Sequence, residues 1–320
     1  MRRSTVTWGL LAALVVVGAA ILVAALNSTV YSASGFVSAY VGALQRQDAA
    51  GALELADVEL AEGIDSSLLT RDAMTELDDV EIVGDATAPD GTHQVTVSYT
   101  VEGAAGTTTY SLERDGSHFG LFPRWSFAQS PLSTLFVSVL GDQRFTANGT
   151  ELVTTAAGEP SGYAVFAPGA YVLDHETHYL ESDPVRVPVD RAGVNVPTAV
   201  TARANQTFVD EVGVQVRQIL DDCTTQRVLQ PTGCPFGETI RNRILDLPEW
   251  SMTSYPAVDL DPTDQIGVWT MPVTDGVAHL EVDIQSLFDG SVESLDQDVP
   301  FVAGYTVTIL STDELLVVPR

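Results

Sequence analysis

The sequence predicts an N-terminal transmembrane helix followed by an α+β domain, a small all-β sandwich and a second α+β domain. Three observations predict this. An uncharged run of nineteen residues, Trp8 to Leu26, opens the chain. Apolar residues at helical spacing then give way, twice, to residues that alternate apolar and polar, and a helix-free stretch rich in turn signals lies between the two.

At about 1.5 Å per residue, WGLLAALVVVGAAILVAAL reaches roughly 28 Å, close to the ~30 Å hydrocarbon core of a bilayer. Arg2 and Arg3 precede it, and the next charged residue, Arg46, follows twenty residues after its end. That asymmetry predicts a cytoplasmic stub over residues 1–7, a single-pass span over 8–26, and an extracellular bulk after Asn27. A cleaved secretory signal is the competing reading. Such signals usually have a shorter apolar core of ~7–15 residues, although Ser32 and Ser34 offer a cleavage site. No cysteine lies near the end of the run, which excludes lipid attachment there. A seven-residue stub is too short for a cytoplasmic signalling domain.

The chain has no lysine, and beyond Arg3 thirteen arginines face forty-three acids. So acidic a surface repels nucleic acid and anionic lipid, and favours cations, basic proteins or neutral ligands as partners. Hydrophobic residues at 45% and their periodic spacing exclude a disordered chain. The lysine-free, Ala/Val/Thr/Asp-rich usage resembles that of high-GC Gram-positive bacteria.

From Ser34, Phe36, Val37, Tyr40, Val41 and Leu44 recur at helical spacing. Asp48 is placed to cap a second helix carrying Ala52, Leu53 and Leu55. Leu69, Ala73 and Leu77 give a third helical segment over Ser67 to Leu77. The period then becomes two: Val95, Val97, Tyr99 and Val101 alternate, Gly103 to Gly106 and Asp115-Gly116 turn, and Trp125 lies on the closing strand. Between Gln129 and Val200 only strands and turns are predicted, with Asn148-Gly149 and Pro168-Gly169 as the clearest turns; Val194 to Ala204 reads as a linker. Asn205 then caps a helix with Phe208, Val209, Val212, Val216, Ile219, Leu220 and Cys223 on one face, and strands follow to Val318, with Asp275-Gly276 and Thr312-Asp313 as turns. The expected units are residues 33–127, 128–200 and 205–320.

The segment order of residues 33–127, with SGFVSAYVGALQRQDAAGAL at its start and GLFPRWSF on its last strand, resembles the ketosteroid-isomerase-like, or nuclear transport factor two-like, cone fold. Membrane-anchored bacterial proteins often carry such domains outside the cell. The resemblance implies a cone-like domain there and a second, more diverged one over 205–320. The piece GYAVFAPGAYVLD resembles the strand, Pro-Gly turn and strand of PEGA-like envelope modules.

Cys223 and Cys234, the only cysteines, are expected to form a structural disulfide closing a loop that holds Pro231 and Gly233. A redox pair would be spaced C-x-x-C; a thiol with His279 as base is the minor alternative. The cluster Asp174, His175, Glu176 and His178 lacks H-E-x-x-H spacing, and Asp259, Asp261 and Asp264 lack the glycine and terminal glutamate of a calcium loop, so both are expected to be polar surface. Relatives of the cone fold use a buried carboxylate beside a tyrosine hydroxyl. Tyr40, Tyr99 and Tyr110 have no carboxylate in register and are expected to be core aromatics.

No catalytic, cofactor or metal residue is therefore assigned. The expectation is a membrane-anchored cell-envelope protein whose outer modules bind an envelope protein or cell-wall component without catalysis. A sensor or carrier using a cone pocket is the alternative, and an enzyme in that pocket a further one.

Overall fold

The computed structural model describes residues 2–311 and 314–320, with side chains from Ala13 onward among the first residues. Helix α1 covers Arg2–Ser28. The first five positions of the predicted span, Trp8 to Ala12, lie outside the described side chains. Among the described residues no single helix is long and apolar enough to cross a membrane, and only a bent pair, Ala13–Ser28 with Ala33–Gln45 at 54°, has the composition to do so. The second helix of that pair faces inward. In α2 (Ala33–Gln45), Val37, Tyr40, Val41 and Leu44 are buried, so its apolar face is already covered by protein.

Ser32 caps α2 by accepting from the Gly35 N–H at 3.0 Å, and Asp48 caps α3 (Ala49–Ala56) by accepting from Gly51. After β1 (Ile64–Asp65) come β2 (Leu77–Thr87), β3 (His93–Val101), β4 (Ala104–His118) and β5 (Phe122–Phe127), an antiparallel meander in chain order. Its inner face, Val95, Val97, Tyr99, Val101, Tyr110 and Leu112, packs on α2 and α3. The predicted helix over Ser67 to Leu77 is only a single 3-10 turn at Arg71–Ala73. This segment serves two cores: Leu69, Met74 and Leu77 join the helix-on-meander core, while Leu68 and Ala73 join the next one. No single helical face could do both.

The middle section is a two-sheet sandwich, with strands β6 (Leu132–Leu140), β7 (Arg144–Ala147), β8 (Thr150–Val153), β9 (Ser161–Phe166), β10 (Gly169–Asp174), β12 (Val185–Val189) and β13 (Asn195–Thr201), while β11 (Leu180–Glu181) and β14 (Arg203–Ala204) pair with each other as a separate ribbon. One sheet has the order β1-β9-β6-β13 and the other β12-β10-β7-β8. The inward residues Leu135, Val137, Phe145, Tyr163, Val165, Tyr171, Leu173 and Val187 fill the space between them. Asn148 and Gly149 both take positive φ, the geometry that a two-residue hairpin requires. The expected linker is mostly strand: β13 pairs in parallel with β6 from Asn195 to Thr201, and Pro197 is accommodated because β13 is an edge strand.

β1 comes from the first section yet pairs in parallel with β9, Ile64 opposite Gly162. A Cβ on Gly162 would stand 2.6 Å from Ile64 Cδ1, so the bare glycine is what admits the added strand. The buried Tyr110 hydroxyl donates to Ala167 O at 2.7 Å and Asn148 Nδ2 to Ala73 O at 2.9 Å, closing the same seam.

In the last section Asn205 accepts from Phe208 N at 3.0 Å and starts α4 (Gln206–Thr224). Phe208, Val212, Val216, Leu220 and Cys223 pack on a six-stranded sheet of β15 (Arg243–Ile244), β16 (Glu249–Ser254), β17 (Asp261–Pro262), β18 (Val268–Gln285), β19 (Val292–Ser311) and β20 (Glu314–Pro319). The predicted Thr312-Asp313 turn lies outside the described residues.

The expected fold class is thus corrected. The protein is mostly β, with four helices among the described residues and a half-barrel sheet, not cone-like α+β domains on either side of a sandwich, and among the described residues the predicted span is not matched by a single helix of membrane length and apolarity. The helical share stops at α3 in the first section and at one helix in the last, because strands of up to twenty residues take the apolar positions.

Candidate functional site

A concavity with convergent polar groups lies where α1 ends against the meander. This cleft of about 470 Å³ is lined by Asn27, Tyr31, Asp85, His93, Arg114 and Trp125 among others. Its residues are placed by pairing: Asp85 and His93 sit near the turn between β2 and β3, and Trp125 on β5 donates its Nε1–H to Tyr31 O at 2.9 Å. Arg114 lies over the indole at 5.3 Å, and the His93 ring meets it edge-on at 4.7 Å.

Asp85 stands between two neighbours. Oδ2 accepts from Ser34 Oγ at 2.5 Å, and Oδ1 lies 3.4 Å from His93 Nδ1. A nucleophilic triad needs the imidazole between hydroxyl and carboxylate. Here the carboxylate holds the middle position, so the hydroxyl proton has no direct route to His93. The arrangement suits binding: a cation on an aromatic wall, a carboxylate and an imidazole around a cleft able to hold a small polar molecule.

A second cluster lies on the face of the last sheet away from α4. Cross-strand pairing sets His279 opposite Asp298 and Glu281 opposite Asp296. His279 Nδ1 is 2.9 Å from Asp298 Oδ1, and Nε2 is 3.1 Å from Asp296 Oδ1 and 3.6 Å from Glu281 Oε1. The hydrogen bond to Asp298 and the surrounding carboxylates raise the pKa of His279. Imidazole with carboxylates is a donor set for zinc or manganese. The imidazolium form meets all three carboxylates by itself, so the geometry needs no ion to explain it. The signal available in sequence was the pair of i, i+2 steps, His279/Glu281 and Asp296/Asp298, which alternation puts on one face.

Cys223 and Cys234 are disulfide-bonded. No thiol is left there for His279 to activate. The DHETH residues separate: Asp174 accepts from Thr146 Oγ1, His178 faces Glu211 at 3.6 Å, and His175 is buried at 3% exposure. Its Nε2 lies 3.4 Å from Asp142 Oδ2, a carboxylate held in turn by Arg144 at 2.8 Å. Burial lowers the His175 pKa against the pull of Asp142. Sequence reading missed Asp142 as its partner, since the two lie on different strand connections. Asp259 accepts from Leu260 N at 2.9 Å, and Asp261 starts β17.

Tyr40 and Tyr110 are fully buried, edge to face at 5.7 Å, and burial raises both hydroxyl pKa values. Tyr99 receives a hydrogen bond from Thr108 Oγ1 at 3.2 Å. No protein-family model matches the chain, and no curated protein or solved structure matches it.

Proposed function

We propose that the chain is a single-pass cell-envelope protein, anchored through its N-terminal apolar segment with the N-terminus cytoplasmic and the β-rich bulk outside, where it binds an envelope protein or cell-wall component and catalyses no reaction. The observation that carries this reading is the bare apolar surface of α1. Leu14, Val15, Val16, Val17, Ile21 and Leu22, all on one helix, are 56–71% exposed, and none of them joins any of the three cores. A contiguous apolar rod in water is unfavourable, and hydrocarbon is the cover that suits it. The acidic outer surface supports a cationic or neutral partner.

The cleft beside α1 favours a second reading, a sensor or carrier for a small polar ligand held by Arg114, Asp85 and Trp125. The test of the anchor is alkaline washing of membranes from cells expressing the full chain, followed by external protease. The chain should stay with the membrane and its bulk should be digested from outside. Release of intact chain into the wash overturns the reading.

A further inference from the structure

The β4–β5 hairpin follows the N-terminal segment back toward α1. Phe127 at its base packs on Phe36 of α2 at 5.2 Å. Further along, Trp125 bonds Tyr31 O, and Phe122 stacks on Tyr31 at 4.4 Å. Furthest out, Leu121 O accepts from Asn27 Nδ2 at 3.1 Å. Each step toward the tip meets an earlier residue of the chain: 36, then 31, then 27. The tip therefore points down α1, toward the exposed apolar residues that end at Leu22.

At that tip Phe119 is 94% exposed and Leu121 57%. Phe119 takes φ +53° and Gly120 φ +68°, a tight turn that leaves the ring in the open. Residues 116–123, GSHFGLFP, include no acid and no arginine, in a chain with forty-three acids. Phe288, on the β18–β19 hairpin, is as exposed, but Asp289 adjoins it.

Five residues of helix separate Asn27 from Leu22, about 7.5 Å along the axis, comparable to one headgroup layer of roughly 5–7 Å. With Leu22 in hydrocarbon, Leu121 lies among headgroups and Phe119 reaches toward the acyl boundary, where apolar and aromatic side chains on peripheral elements settle. We propose that the β4–β5 tip, Phe119 with Leu121, is a second membrane contact that docks on the outer leaflet beside α1. This rests on the anchor reading. The occupant is the lipid interface, since the tip is continuous with the surface that the anchor presents to lipid and is uncharged where a repelling acid would prevent approach. Two contacts on one bilayer fix the tilt and rotation of the outer body, which a single helix does not.

Both native cysteines are bonded, so single thiols can be placed in the full chain by Val17→Cys, Phe119→Cys and Phe288→Cys, each carrying an environment-sensitive fluorophore. The chain is reconstituted in phosphatidylcholine vesicles containing lipids with a nitroxide deep in the acyl chain or at the headgroup. The expected result is quenching at 17 by the deep label, loss of about half the signal at 119 by the shallow label, and no loss at 288. Quenching at 17 with 119 as bright as 288 overturns this proposal and leaves the anchor standing. No quenching at 17 overturns the anchor and the docked tip together. Equal quenching at 119 and 288 overturns the docked tip as a specific contact.

Discussion

His175 sits neutral against the sandwich core beside Asp142, while His279 lies among three carboxylates on an open sheet face, and protonation acts on the two with opposite sign. Burial holds the His175 pKa below its ordinary value near 6.5. The unfolded chain then takes up the proton first, so the stability that His175 contributes is present above about pH 6.5 and is lost as pH falls toward its folded value. His279 has a raised pKa, so its contribution is present below about pH 6.5 and is lost as pH rises through its folded value. Proton-detected titration of the five histidines should separate these two in opposite directions. Asp298→Asn should bring His279 back toward 6.5, and no movement would show that the hydrogen bond is not the cause. At Tyr110, replacement by Phe removes the bond to Ala167 O and leaves a buried acceptor unpaired. A loss of about 1–3 kcal/mol in urea unfolding is expected. These partners were invisible in the sequence: Tyr110 could be read as a core aromatic from its alternation, but nothing in its neighbours points to a carbonyl fifty-seven positions away.

Among the elements, those stabilised by near neighbours were legible. The caps at Asp48 and Asn205, the Asn148-Gly149 hairpin and the apolar face of α4 each depend on residues within a turn or two, and periodicity reports those. β1 is a different case. Two residues pair with a strand nearly a hundred positions on, and the only local trace is Gly162, whose missing side chain makes room for Ile64. Gly162→Ala should displace β1 and cost about 1–3 kcal/mol, visible as faster proteolysis between residues 57 and 76. The Ser67 to Leu77 segment misled for a related reason: leucines and an alanine assigned to two cores mimic helical spacing. The Cys223–Cys234 bond closes an eleven-residue separation and holds the loop from which Phe236 packs on Trp250 at 5.0 Å. Replacing both cysteines by serine should lower stability by about 3 kcal/mol on a chain-entropy view and shift Trp250 emission to the red. Unchanged emission would mean that Phe236 stays seated without the bond.

In the whole molecule, buried residues gather in three cores, and the balance of helix and strand is not the one that the sequence predicts. Helical spacing in residues 33–55 and 205–223 stood out, yet those helices cover sheets whose long strands make up most of the chain. The candidate cleft is legible only in parts: alternation marks Trp125 as a strand residue, but its meeting with Arg114, His93 and Tyr31 depends on three strands and a helix end coming together. The borrowed strand β1 carries a consequence for how this architecture can be reused. A fragment ending near residue 127 would contain both caps, both short helices and the entire meander, and would look like a self-sufficient cassette. It would nevertheless present Leu68, Ala73 and the unpaired backbone of Ile64 to solvent, with Tyr110 lacking its acceptor. Such a piece is not portable: recombination that moves the N-terminal unit into another protein must carry the sandwich with it, so the two should travel as one heritable block.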